Sequence, residues 1–303
     1  MIMKQMLSIF AVIAILLTAF VQPGMADGVV PVEPLSTAPS AETGEMVNET
    51  STLWFVELNS APSADGTSPM VLKSEKAAFR LNAQKAGLKF SERYAFDTLW
   101  NGLSIQIDPS QVAALSRIPG VKAVYPVETI PMPETFASEP ELFTSIAMTG
   151  ADIVQNELGY TGKGIKVAVM DTGVDYDHPD LGGCFGPGCR VAYGYDLVGD
   201  AFNADDTSAS YNPVPVPDPD PDDCYGHGSH VAGIIGASGT VTGMAPEVTF
   251  GSYRVFGCAG STTSDIMLAA MEMALADGMQ VLNMSIGSSF QWPQYPTAVA
   301  ADK

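Results

Sequence analysis

The chain has 303 residues, 46% hydrophobic and 16% charged, so it carries enough apolar material for a real core. That composition rules out disorder throughout and a fibrous repeat. Acidic residues outnumber basic ones 34 to 14, for a net charge of −20, which argues against nucleic acid and anionic membrane surfaces as partners because both need a basic footprint.

Lys4 gives a short positive start, and residues 6–21 are apolar apart from Ser8 and Thr18. Gly24 and Ala26 put small residues at the positions of a signal-peptidase site. The run of 16 residues is shorter than the roughly 20 that span a bilayer. Residues 1–26 therefore read as a signal peptide, with an uncleaved anchor as the alternative. A secreted, extracellular protein with no membrane attachment after signal removal is expected. Four cysteines follow, Cys184, Cys189, Cys224 and Cys258, and an even count in an exported chain points to disulfides.

Residues 27–50 are rich in Pro, Ser, Thr, Ala and Glu and read as a disordered spacer. Residues 51–130 are different. Residues 53–58 are strand-like, and 70–86 have helical spacing, with Leu72, Phe79, Ala83 and Ala86 on one face and Gly87 as a stop. Residues 96–107 alternate like paired strands around a hairpin turn at Asn101-Gly102. A short helix runs from Pro109 to Leu115, and residues 121–125 form a last strand. This β-α-β-β-α-β order is the split βαβ, or ferredoxin-like, pattern of a small α+β domain.

Residues 131–147 read as an exposed linker, and a third block fills 148–303. Residues 165–170 are a near-continuous apolar run, the mark of a buried parallel strand. Residues 249–256 and 280–286 read as further strands. Between them lies a helix with Ser264 as N-cap, Ile266, Ala269, Ala270 and Met273 on one face, and Gly278 at its end. Strand, helix, strand predicts a parallel α/β sheet. Residues 200–223 form a Pro/Asp-rich loop.

Asp171 follows the buried strand, at the sheet end where active sites gather. Taken alone, it could equally hydrogen-bond its own turn. Asp-Thr-Gly also occurs in aspartic proteases, but these need two carboxylates and only one copy exists here. Two of the three histidines lie in Gly226-His227-Gly228-Ser229-His230-Val231-Ala232-Gly233. A histidine among glycines at the start of an apolar helix leaves room for a substrate and suits general-base work. Either histidine alone could be structural. Zinc-protease patterns are absent, so no metal site is expected.

The stretch from Val169 through Asp171, Asp175, His178 and Asp180 resembles the aspartate motif of the subtilisin-like serine proteases, the subtilases of peptidase family S8. Residues 226–233 resemble their histidine motif, with Ser229 where threonine is more usual, and residues 281–287 resemble their substrate-binding strand. Residues 53–128 are similar to the family's I9-type inhibitory prodomain. The Pro-rich stretch before His227 is similar to larger secreted subtilases of the minor extracellular or cell-envelope type. The resemblance implies an α+β ferredoxin-like prodomain followed by an incomplete α/β subtilisin-like domain with a parallel sheet.

It also implies roles. His227 would take the proton of a nucleophilic serine, and Asp171 would fix the imidazole tautomer. Ser285, Ile286 and Gly287 would offer backbone groups to an extended peptide, with Gly260 on the opposite edge of the cleft. His230 is assigned a structural place in the helix. Polypeptide substrates and the chain's own prodomain in the cleft are the implied partners. On the same template Cys224 and Cys258 are neighbours, which leaves Cys184 to pair with Cys189; four free thiols are the alternative. The acidic loop of Asp218, Asp220, Asp222 and Asp223 reads as solvated charge in preference to a Ca²⁺ site. The family's calcium loop has no acidic counterpart in residues 234–242, so no cofactor is carried over.

The family's Gly-Thr-Ser-Met-Ala nucleophile motif is not found in residues 1–303, and Ser285 lies on the substrate strand. The expectation is a piece of a secreted serine endopeptidase precursor that lacks its serine and is inactive by itself. The alternatives are an inactive product acting as a prodomain-type inhibitor or folding aid, and a simple peptide-binding module.

Overall fold

A computed structural model describes residues 51–134, 142–288 and 292–303. The expected signal peptide (1–26) and spacer (27–50) lie outside the described residues, as do residues 135–141 of the linker. No helix among the described residues is long and apolar enough to cross a membrane.

The first unit contains β1 (Leu53–Leu58), α1 (Pro69–Lys85), β2 (Phe90–Phe96), β3 (Gly102–Ile107), the single turn α2 (Val112–Leu115) and β4 (Val121–Pro126). The strands form an antiparallel sheet in the order β2-β3-β1-β4. Helix α1 starts where Ser68 accepts the amide of Val71 and Pro69 pre-sets the first turn. Leu72, Lys76, Phe79 and Ala83 make its buried stripe. Alternation along β1 gives the sheet two apolar faces. Val56 and Leu58 pack with Phe79, Ala83 and Leu103 in the unit's own core. Phe55 points the other way, into a core shared with the following domain.

The Asn101-Gly102 pair does not form a two-residue hairpin turn. Strand β2 ends at Phe96 and β3 begins at Gly102, so residues 97–101 span the gap. Asn101 is buried instead: its Nδ2 donates to Ser60 O and Glu75 Oε2, and its Oδ1 accepts from Lys76 Nζ. Gly102 is required for close approach, since a Cβ there would lie 2.2 Å from Val56 O and 2.4 Å from the Trp100 ring.

The chain continues through β5 (Thr129–Pro131), α3 (Leu142–Thr149) and α4 (Ala151–Asn156). The second sheet then forms from β6 (Lys166–Asp171), β7 (Val191–Asp196), β8 (Thr249–Arg254) and β10 (Val281–Asn283), parallel in the order β10-β6-β8-β7. Helix α5 (His227–Gly236) lies between β7 and β8 in sequence. Strand β9 (Ser261–Thr263) runs directly into α6 (Ser264–Ala276), and α7 (Pro296–Ala301) comes last.

Several expectations shift. Strand β10 covers three residues, so residues 284–286 lie beyond it. Thr263, not Ser264, is the N-cap of α6. The Ser264 hydroxyl instead accepts the amide of Glu128 at 3.0 Å and pairs with the Tyr295 phenol at 2.7 Å. Strands β5 and β7 were not expected. Strand β5 is a strand only through its antiparallel partner β9, with Ile130 opposite Thr262.

The shared core joins the two units. Phe55, Phe96, Leu99 and Trp100 pack with Ile266, Met267, Ala270 and Met271 of α6 and with Tyr295. Phe55 meets both Trp100 and Tyr295 edge-on, with ring centroids 5.4 and 5.9 Å away. The Glu272 carboxylate accepts the amides of Thr98 and Leu99 at 2.8 and 2.9 Å.

Candidate active site

Asp171 is the last residue of β6, fully buried at the carboxyl end of the parallel sheet. His227 is the first residue of α5, and its side chain keeps 12% of its exposure. Nδ1 of His227 lies 2.7 Å from Oδ1 of Asp171, which also accepts the amide of Thr172 at 2.7 Å. A carboxylate on Nδ1 fixes the proton there and leaves Nε2 as the basic nitrogen. Burial pushes the Asp171 carboxyl above its ordinary range, against the opposing pull of His227 and the Thr172 amide.

The start of α5 is capped from outside the helix. Its N-cap, Gly226, has φ +103° and no side chain to offer. The Gly228 amide donates to Thr172 Oγ1 at 2.9 Å, and the Ser229 amide donates to Asp223 Oδ2 at 2.9 Å. Asp223 also accepts from the Ser229 hydroxyl at 2.6 Å, from the amides of Tyr225 and Gly226, and from Thr172 Oγ1 at 3.0 Å. Burial alone would raise the Asp223 carboxyl, but these bonds win and hold it below the ordinary carboxylate range. Asp223 and Thr172 thus tie the histidine helix to the turn that carries Asp171. This corrects the expectation for the acidic loop: Asp218 and Asp220 are exposed, whereas Asp222 and Asp223 are half-buried and Asp223 is a structural hub. The available signal was a carboxylate four residues ahead of a histidine whose helix lacks a side-chain cap.

The sulfurs form Cys184–Cys189 and Cys224–Cys258 disulfides, with Cα atoms 5.6 and 5.4 Å apart. The second joins the loop before His227 to the segment after β8. Beside it lies the buried Arg254, in register with Asp171 on the neighbouring strand. Its Nη1 pairs with Asp196 at 3.0 Å and Asp200 at 2.8 Å, and its Nη2 lies 2.9 Å from Cys224 Sγ. Asp200, Cys224 and Cys258 are the one group of three potential metal ligands among the described residues. Bonded sulfurs beside a guanidinium do not suit a cation. Replacing Cys224 and Cys258 by serine together is expected to lower the unfolding free energy by about 3–4 kcal/mol, against about 2 kcal/mol for the Cys184 and Cys189 pair. The reason is loop length, a separation of 34 residues against 5. Urea unfolding of the two double variants checks the order.

Gly260 sits at φ +93° just ahead of β9, and a Cβ there would lie 1.9 Å from Asn203 Oδ1. That oxygen accepts the amides of Ser261 and Asp205 at 3.0 and 2.9 Å. Asn203 therefore shapes this edge, a residue the sequence reading did not single out. Ser285 and Gly287 are exposed and Ile286 is half-buried. They follow Asn283, which pairs with Val169, so they leave the sheet at the end where Asp171 sits. Ser285 Oγ donates to Asn283 Oδ1 at 3.0 Å. His230 is exposed on α5. Strand β5 occupies the free side of β9, and the Tyr225 phenol donates to Pro133 O at 3.1 Å, which brings the chain after β5 within two residues of His227.

Residues 162–302 match the subtilase family, and residues 55–131 match peptidase inhibitor I9. The minor extracellular protease Vpr of Bacillus subtilis (strain 168) is 34% identical over 250 residues, covering 79% of this chain and 29% of Vpr. Subtilisin DY of Bacillus licheniformis is 32% identical over 146 residues, covering 47% of this chain and 43% of that protein. The chain thus spans less than half the length of either relative. Fervidolysin from Fervidobacterium pennivorans superimposes with a TM-score of 0.53 at 19% identity, over 84% of this chain and 38% of that one. The epidermin leader peptide processing serine protease from Staphylococcus aureus gives 0.52 at 23% identity, over 78% and 50%. At those identities the solved structures speak for the fold alone.

Proposed function

The chain belongs to the subtilase family, its subtilase segment preceded by a peptidase inhibitor I9 prodomain, and from that premise we propose that it serves a secreted serine endopeptidase. The reaction is peptide-bond hydrolysis by acyl transfer. The observation that carries the reading is the 2.7 Å contact between His227 Nδ1 and the buried Asp171 carboxylate. In it, His227 Nε2 takes the proton from a serine and returns it to the leaving amine, while Asp171 stabilises the imidazolium. Residues 1–303 hold two of the three groups, Asp171 and His227, and no Gly-Thr-Ser-Met-Ala motif occurs among them. Extended peptides pair with β9 and with residues 285–287, and the I9 prodomain blocks that cleft through β5 until it is cleaved. Supporting this last point, β5 already runs antiparallel to β9.

A second reading, an inactive product whose residues 51–130 inhibit or assist another protease, draws support from the I9 match. One measurement separates the two. The protein translated from the complete reading frame is assayed on a denatured protein substrate, with and without His227→Ala. The protease reading expects a loss of about 10⁴-fold or more in kcat/KM. Equal activity in both, or no activity in either, sinks it.

A further inference from the structure

The Cys224–Cys258 bridge joins two segments that flank the site. Cys224 lies between Asp223 and Tyr225, three residues before His227. Cys258 lies two residues before Gly260, which leads into β9. A cation stands beside both sulfurs. The Arg254 guanidinium is buried, and each of its nitrogens is engaged. Nε donates to Phe256 O at 3.0 Å, and Nη1 meets the carboxylates of Asp196 and Asp200. Nη2 is left to face the sulfurs, 2.9 Å from Cys224 Sγ and 3.4 Å from Cys258 Sγ.

The other disulfide is an internal comparison. Cys224 and Cys184 are exposed, and Cys258 and Cys189 are half-buried, so access does not separate the two bridges. Arg190 follows Cys189 in the chain, but its nitrogens go to the carbonyls of Val248, Asp180, Gly236 and Pro246. Among the described residues, a guanidinium on sulfur therefore belongs to Cys224–Cys258 alone. An attacked disulfide expels a thiolate, and a thiolate leaves faster when a cation lowers its pKa. The Asp200 carboxylate, within 4.8 Å of both sulfurs, acts against Arg254, but Nη2 is nearer. Asp196 pairs with the far nitrogen, while Asp223 and His227 are turned to Ser229 and Asp171.

We propose that Cys224–Cys258 is a thiol-exchange site that controls the hold on His227, with a small external thiol as its reactant. The external thiolate attacks the exposed Cys224 Sγ. A new S–S bond joins the reagent to Cys224, the bond to Cys258 breaks, and its electron pair leaves on Cys258 Sγ beside Arg254 Nη2. Attack by the Cys258 thiolate on the mixed disulfide expels the reagent and reseals the bridge. Exchange detaches the loop carrying Asp223 and His227 from the segment carrying Gly260. A net charge of −20 favours an aminothiol over an acidic thiol. Only the effect on activity rests on the protease reading.

The test treats the full chain with cysteamine and locates the adducts by peptide mass spectrometry. In the folded chain Cys224–Cys258 should exchange about fivefold faster than Cys184–Cys189, or more. The preference should disappear in urea, where Arg254 is no longer held. Asp200→Asn, at an exposed position, should widen it. Arg254→Lys keeps a charge for Asp196 without the nitrogen on sulfur, and should abolish it. If Arg254→Lys does not fold, Cys258→Ser leaves Cys224 as a free thiol. Its alkylation rate against pH should then have a midpoint below the ordinary value of about 8.5. Equal exchange of both bridges in the folded chain, or a midpoint at or above that value, overturns the site. The adduct should also shift the His227 NMR signals, a readout independent of catalysis, and unshifted signals overturn the control of His227. In the complete protein the adduct should lower kcat/KM about tenfold, reversibly on removal of the thiol. Equal exchange beside an active complete protein overturns the site alone. Selective exchange with shifted His227 signals beside an inactive complete protein supports the site and overturns the protease reading.

Discussion

Asp223→Ala is expected to lower the unfolding free energy by about 3 kcal/mol and to loosen His227 from Asp171. Five donors lose their acceptor at once: the amides of Tyr225, Gly226 and Ser229 and the hydroxyls of Thr172 and Ser229. Hydrogen bonds to a charged group are worth about 1.5–3 kcal/mol each, and water can replace only part of this set because the site is half-buried. Denaturant midpoints give the stability, and the imidazole NMR signals of His227 report the contact. An unchanged midpoint would show that the helix start holds without its outside cap.

The same residue sets an acid limb. Its folded pKa lies below the unfolded value of about 3.9. Its contribution is therefore fully present above that value and is lost as pH falls through the folded pKa. Asp171 has the opposite sign. Its folded pKa is raised by burial, so its ionisation opposes folding, and stability falls as pH rises from the unfolded toward the folded value. Asp223→Asn should flatten the loss of stability below about pH 4, and a wild-type acid titration curve retained by the variant would contradict the assignment.

Asp171 and His227, which the structure brings into contact, were picked out by the motifs around them; the local signals, a carboxylate closing an apolar strand and a histidine among glycines opening an apolar helix, left a structural role open for each. The split βαβ order was legible because each element carries its own periodicity. What escaped depends on distant partners. Thr129 and Ile130, at the end of the prodomain block, and Pro131, at the start of the expected linker, carry no strand signal, and only Ser261, Thr262 and Thr263, more than 100 residues later, make them a strand. Asp223 sits in a Pro/Asp-rich loop that reads as solvated charge, and the donors that bury it come from Thr172 and Ser229. Asn101-Gly102 has turn chemistry, yet the buried Lys76 and the half-buried Glu75 claim the asparagine for the interior. Ser264 has capping chemistry, yet Glu128 and Tyr295 take its hydroxyl. In each case a long-range hydrogen bond outweighed a local preference, and one-dimensional pattern holds no record of such a bond.

Three glycines of the histidine helix should respond to alanine in three different ways, and the contrast isolates what holds the site together. Gly228→Ala is expected to cost about 3 kcal/mol. Its Cβ would lie 2.1 Å from Gly173 O and 3.1 Å from the Asp171 Cβ, so backbone has to move and the His227 ring moves away from its carboxylate. Gly226→Ala meets no atom within 4 Å, but it places a side chain at φ +103°. Its cost is about 1–2 kcal/mol, the ordinary penalty of left-handed backbone. Gly233→Ala meets no atom within 4 Å in mid-helix and should gain about 0.5–1 kcal/mol. Unfolding curves rank the three, and His227 NMR signals should change sharply for Gly228→Ala alone. A rank order set by helix propensity instead would put Gly228→Ala on the stabilising side, and would mean that the helix does not rest against the strand turn as closely as its glycine implies.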